Sequence, residues 1–149
     1  MIMPVLFCRR PQRNKEKILI VDAGNDDRKL LTGILTAMGY EPVGAAGWIE
    51  ALKLFTPGNF DLVFTDSKII CWDGFCLAFH IKARSSQIPV VMMVARSEKN
   101  APDNREGCCF DDLLFKPFEP IDIQSVLQQI FKSRLKEEDI AFYCDSKAI

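Results

Sequence analysis

Residues 60–66 read FDLVFTD, an almost wholly apolar run that ends in a carboxylate. A continuous apolar run of this length predicts a strand buried on both faces, as in a parallel sheet covered by helices. Two further runs have the same character, KILIVD at 17–22 and IPVVMMVA at 88–95. Asp66 then falls at the carboxyl end of its strand, the edge of an open α/β sheet where ligands bind. A carboxylate placed there suits a metal ligand, a nucleophile toward phosphorus, or a loop cap.

The remaining elements follow from periodicity and punctuation. Ala23-Gly24-Asn25 makes a loop, with Asn25 or Asp26 as the cap of a first helix. In that helix Leu30, Leu31, Ile34, Leu35 and Met38 recur on one face, and Gly39 ends it. Glu41 to Ala45 is a weaker second strand. Trp48 to Phe55 is a short helix with Ile49, Leu52 and Phe55 inward, closed by Pro57-Gly58. After Asp66 a loop runs to Asp73-Gly74, and Phe75 to Ala83 forms a helix with Phe75, Phe79 and Ile81 or Lys82 around its inner face. His80 on this helix reads as a surface residue, because no acidic or cysteine neighbour in sequence orients it.

Arg96 to Gly107 holds Pro102, Asp103 and Asn104 and almost no apolar residue, so a short or irregular helix is expected. Asp112 to Lys116 is the fifth strand. Residues 121–134 form the last helix, with Ile123 or Val126, Leu127, Ile130 and Phe131 facing the core. The order predicts a doubly wound (βα)5 fold with five parallel strands in the flavodoxin-like order 2-1-3-4-5. Its crevice opens between strands 1 and 3, which sets Asp22 beside Asp66 and aims Lys116 at the same mouth.

Composition bounds the function classes. With 149 residues and 48% apolar content the chain is one domain over 17–134, with tails at 1–16 and 135–149. A net charge of −1 offers no basic field for nucleic acid, and no apolar run approaches a membrane span. The amino-terminal residues do not read as a signal peptide, so a cytoplasmic protein is expected. Six cysteines are present, none in a Cys-x-x-Cys pair, and reduced thiols suit that compartment.

With Asp22, Asp66 and Lys116-Pro117-Phe118 in place, the chain resembles a two-component response-regulator receiver domain over roughly 17–134. The pieces that carry the likeness are KILIVD at 17–22, Arg28, Gly39-Tyr40, Ala51-Leu52, FDLVFTD at 60–66, Asp73-Gly74, Ile88-Pro89-Val90-Val91, Gly107 with Asp111-Asp112, and FKPF at 115–118. The resemblance implies a non-enzymatic switch in which Asp66 accepts a phosphoryl group from a histidine kinase or phosphotransfer protein. It further implies Mg²⁺ held by Asp22, Asp66 and the backbone carbonyl of Lys68, with Lys116 reaching a phosphoryl oxygen. Output would pass to a downstream protein partner. A homodimer through the fourth-helix, fifth-strand and last-helix face also fits the family.

Three positions depart from the family pattern. Ala23 replaces the second of two adjacent acids, which predicts weak Mg²⁺ binding. Val94 replaces the hydroxyl residue ending strand 4, and Leu113 replaces the switch aromatic on strand 5. Asp26 and Asp27 are alternative sources of the missing acid, yet capping and dipole stabilisation account better for acids in a first helical turn. Lys68 either points to solvent or brings an ammonium to the acidic mouth. Ile70-Cys71 replaces the usual Pro-Gly of this loop, with Trp72 beside it, and the three either form an exposed apolar patch or pack over the loop. These departures sustain a second reading, a phosphate-independent interaction module. Flavodoxin-type or dehalogenase-type chemistry is disfavoured, since no hydroxyl-rich phosphate cradle follows strand 1 and Lys68 stands where such a phosphatase has its second Asp.

Overall fold

A computed structural model describes residues 15–97 and 109–132. The elements alternate: β1 (Lys17–Val21), α1 (Asn25–Ala37), β2 (Glu41–Ala45), α2 (Trp48–Leu54), β3 (Leu62–Asp66), α3 (Leu77–Arg84), β4 (Val90–Ala95) and β5 (Asp112–Lys116). A last helix, α4, occupies 120–132. The strands form one sheet in the order β2-β1-β3-β4-β5, every adjacent pair parallel. This is the flavodoxin-like order that the alternating pattern predicts. The segment expected to be an irregular helix falls largely at 98–108, outside the described residues, as do most of the two tails.

Side-chain alternation divides the sheet into two cores. Leu19, Val21, Val63, Val90, Met92 and Val94 face α2 and α3, joining Ala51, Leu77, Ala78 and Ile81. Ile18, Ile20, Leu62, Phe64, Val91 and Met93 face α1 and α4, joining Leu31, Leu35, Ile123, Val126 and Leu127. Both faces of the central strands are dry, which is why their sequences are continuous apolar runs rather than alternating ones.

Two strand starts are set by one device. The Asp61 N–H donates to the Lys17 carbonyl at 2.8 Å, and the Lys17 N–H returns a bond to Asp61 Oδ2 at 2.8 Å. Likewise the Asp111 N–H donates to the Val90 carbonyl at 2.8 Å, and the Val90 N–H donates to Asp111 Oδ2 at 2.7 Å. Each Asp closes the first rung of a neighbouring strand with its own side chain. This explains acids at 61 and 111, just ahead of apolar strands.

The helices correct several expectations. Gly24, not Asn25 or Asp26, is the N-cap of α1, and no side chain caps that helix. Its N–H is instead bound at 2.8 Å by Asp22 Oδ1, while Asn25 Oδ1 accepts from Arg28 at 3.0 Å. Leu31 and Leu35 are fully buried, but Leu30 is half exposed, and Ile49 of α2 likewise points outward. In α3 the helix starts at Leu77. An antiparallel bridge between Ile70 and Cys76, with the Cys71 N–H donating to the Phe75 carbonyl at 2.9 Å, keeps Phe75 out of the helix and exposed.

His80 is the largest correction. It is only 9% exposed, and its Nε2 lies 2.9 Å from Asp73 Oδ2. The acid is seven residues back, brought to the ring by a turn in which Gly74 takes φ 83°. Trp72 covers the imidazole at 4.7 Å between centroids and also meets Trp48 at 5.1 Å. Trp72 and Ile70 are nonetheless 65% and 47% exposed, whereas Cys71 is buried. The patch and packing alternatives for this loop therefore both hold, divided residue by residue.

Candidate functional site

The strands of a parallel sheet end together, so side chains at their carboxyl ends share one rim. Asp66 is the last residue of β3, Asp22 follows β1, and Lys116 is the last residue of β5. Lys116 extends past the end of β4 to reach them both. Its Nζ lies 2.5 Å from Asp22 Oδ2 and 2.6 Å from Asp66 Oδ2. The structure thus brings together the two strand-end acids and the ammonium that the topology sets at one mouth.

A third acid joins them. Asp27 Oδ2, from the first turn of α1, stands 3.1 Å from the same Nζ. Asp27 does not cap the helix; it keeps the first-turn position that the helix dipole favours and turns its carboxylate to Lys116, leaving the Gly24 N–H to Asp22. The signal was its position one short loop beyond β1, on a turn that begins at the sheet rim. One ammonium therefore faces three carboxylates, and the pocket remains an acidic one.

Each carboxylate is held differently. Asp22 is buried, with Oδ1 accepting the Gly24 N–H and Oδ2 accepting from Lys116. Asp66 takes the Lys68 N–H at 2.8 Å on Oδ1 and Lys116 on Oδ2. Lys68 thus meets Asp66 through its backbone. The Asp27 side chain is 46% exposed, against 4% for Asp22 and 13% for Asp66, so it forms the open side of the pocket. Burial alone pulls the Lys116 pKa down. Its hydrogen bonds to Asp22, Asp66 and Asp27 outweigh burial and raise it, keeping the group cationic.

Val94 and Leu113 lie on the α2/α3 side of the sheet. Val94 is 1% exposed, and Leu113 packs against the same apolar cluster. Neither side chain carries a donor or acceptor toward the pocket.

The pocket's donors suit a hard cation: carboxylate oxygens, with a backbone carbonyl on the adjoining loop. Among the described residues no three His, Cys, Asp or Glu side chains stand as a preformed cage. Mg²⁺ does not require one, since it takes one or two carboxylates and keeps several waters. The Lys116 ammonium, gathered on by three acids, shows that the pocket accommodates a positive charge.

An acidic rim with a lysine, at the strand ends of this topology, is the arrangement of a receiver-type α/β domain. The chain belongs to the response regulator receiver domain family, whose model matches residues 18–128. It is 31% identical over 123 residues to the probable transcriptional regulator ycf27 of Cyanidium caldarium, covering 83% of this chain and 49% of that protein. The chain therefore spans about half the length of this curated relative. Among solved structures, NtrX from Brucella abortus superposes with a TM-score of 0.73 at 26% identity, over 85% of this chain and 28% of NtrX. A putative response regulator from Chloroflexus aurantiacus superposes at 0.70 and 26% identity, over 78% of this chain and 98% of that one. Receiver domains of this family generally bind Mg²⁺ at the acidic pocket and interact with histidine kinases and downstream effectors. No helix among the described residues is long and apolar enough to cross a membrane.

Proposed function

We propose that this receiver domain accepts a phosphoryl group on Asp66 from a histidine kinase or phosphotransfer protein, and signals through protein contacts. The observation that carries the reading is the setting of Asp66. Its carboxylate lies at the sheet rim, oriented by the Lys68 N–H on one oxygen and by Lys116 on the other. In the transfer, an Asp66 oxygen attacks phosphorus. The bond from phosphorus to the donor nitrogen breaks, and its electron pair returns to the imidazole. Lys116 then has a phosphoryl oxygen to neutralise in place of Asp66 Oδ2. Asp22, Asp66 and the Lys68 carbonyl are the groups that would hold Mg²⁺. When bound, the ion offsets repulsion between the carboxylate and the incoming phosphoryl group.

The domain in this reading spans 17–134, between two tails, and acts in the cytoplasm. A net charge of −1 supports protein rather than nucleic-acid partners. Phe115 on β5 and Ile121 on α4 are exposed, which supports a homodimer through that side of the domain. Incubation with a small acyl phosphate and Mg²⁺, followed by mass spectrometry, tests the central point. A mass increase of one phosphoryl group on Asp66 is expected, and its absence under forcing conditions overturns the reading.

Val94 and Leu113 favour a second reading, a phosphate-independent pseudo-receiver. An apolar pair in place of the hydroxyl and aromatic leaves a phosphoryl group without that coupling to β5. If Asp66→Asn leaves partner affinity and output unchanged, this second reading stands.

A further inference from the structure

We infer that Arg28 is a positioning residue for the chemistry at Asp66. Its guanidinium fixes the backbone of Asp22, and so sets the direction of the carboxylate that shares Lys116 with Asp66. The inference rests on the phosphoryl-accepting reading above. Asp22 sits one position beyond β1, and its N–H donates to the Ala45 carbonyl of β2 at 3.1 Å. Ala23 and Gly24, which follow, are exposed. At this exit from the sheet, Arg28 Nη1 donates to the Asp22 carbonyl at 2.6 Å. The peptide units on both sides of the Asp22 Cα are therefore held, one by β2 and one by Arg28. That fixes the line along which the buried carboxylate leaves the chain, to meet the Gly24 N–H and Lys116.

The guanidinium is itself oriented. Its Nη2 donates to Asn25 Oδ1 at 3.0 Å, so one planar fork bridges the β1–α1 loop from Asp22 to the first residue of α1. A lysine ammonium is a point charge and does not reproduce a two-point hold in one plane. The aliphatic stem depends on a residue of β2. A methyl group at Gly44 would stand 3.2 Å from Arg28 Cδ and 3.4 Å from Cγ. A glycine inside a strand weakens the strand and marks the close approach of another group. Here that group is the Arg28 stem, which lies against β2 and carries the fork to Asp22. Arg28 thus reaches the pocket through Asp22.

Two measurements on the full chain test this. One is the rate of Asp66 phosphorylation by a small acyl phosphate with Mg²⁺, read by mass spectrometry. The other is the Gly24 amide resonance in NMR spectra. That N–H is bound by Asp22 Oδ1, so its resonance reports where the carboxylate points and needs no phosphoryl group. Arg28→Ala is expected to slow phosphorylation about tenfold or more. It is also expected to move the Gly24 resonance toward that of a free amide, while the Val90 amide, bound by Asp111, keeps its position. Arg28→Lys keeps the charge and most of the stem, which protects folding, and is expected to repeat both changes. A parent-like rate or resonance in Arg28→Lys overturns the inference, by reducing the role to general charge. So does a Gly24 resonance that stays in place in Arg28→Ala, or a rate unchanged while the urea midpoint falls, since Arg28 is then a structural brace only. If the parent chain takes no phosphoryl group, the phosphoryl-accepting reading fails as a separate result, and the Gly24 resonance still decides whether Arg28 fixes Asp22.

Discussion

Asp73 and His80 are joined at 2.9 Å between Oδ2 and Nε2, and the pair closes the loop that leads from Asp66 into α3. Slight burial acts to raise the Asp73 pKa. Hydrogen bonds from His80 and from the Phe75 N–H outweigh it and hold the carboxyl below its ordinary range. A lowered carboxylate contributes stability above its unfolded value, 3.8, and that contribution is lost as pH falls through the lower folded value. His80→Ala also removes the ring contacts with Trp72 and Phe79. The loss of those ring contacts alone is expected to cost about 1–2 kcal/mol in urea unfolding at neutral pH. The acid-side component should shrink when the unfolding series is repeated below pH 4.

Lys116→Met leaves three carboxylates facing one another without a cation. Breaking a buried charge group costs about 3–5 kcal/mol, and partial exposure of this pocket brings the expected loss to about 2–3 kcal/mol. Addition of a divalent cation should recover part of the lost melting temperature in the variant and add less to the parent. Because the folded lysine pKa is raised, its stabilisation is fully present below the unfolded value, 10.5. It fades as pH climbs through the higher folded value. Thermal melts between pH 7 and 12 should show that alkaline loss in the parent and its absence in Lys116→Met.

Asp111→Ala removes the acceptor of the Val90 N–H at the start of β4 and the partner of Lys82 at 2.7 Å. The unpaired backbone donor sets an expected loss of about 1–3 kcal/mol. Asp111→Asn keeps an acceptor oxygen and gives up mainly the Lys82 ion pair, so its loss should stay under about 1 kcal/mol. Urea unfolding of both variants separates backbone clasp from charge.

Val94→Thr places a hydroxyl at a buried position among Leu19, Val21, Val63 and Met92. Without a phosphoryl group the hydroxyl has an apolar setting, and a loss of about 1–2 kcal/mol is expected. With beryllofluoride in the pocket the same hydroxyl gains a charged acceptor worth about 1.5–3 kcal/mol. Affinity for the mimic should rise about tenfold or more while the ligand-free melting temperature falls. Unchanged affinity would show that position 94 does not reach the phosphoryl site.

Sheet order, strand positions and the meeting of Asp22, Asp66 and Lys116 were legible because each depends on a short local signal. An apolar run names a buried strand, and a polar residue at its end names the rim. Asp27 and His80 were not legible for the same reason in reverse. Both have ordinary local explanations, an acid in a first helical turn and a lone histidine on a helix. Their partners are supplied by distant segments: Lys116 is 89 residues beyond Asp27, and the Asp73 turn folds back over α3. Helix faces failed at Leu30, which sits in mid-α1 beside the buried stripe of Leu31 and Leu35, and at Ile49 and Phe75, which lie at or before a helix start where an apolar side chain is not committed to the core.

Trp48 opens α2 and Trp72 lies in the loop after Asp66, with their rings 5.1 Å apart and inclined at 44°. Two indoles at that separation absorb as a coupled pair, so circular dichroism should carry a split exciton band that neither gives alone. Trp48→Phe then dismantles a shared chromophore, and the couplet should vanish. The couplet's sign and amplitude become a built-in ruler for how far the loop beside Asp66 stands from α2.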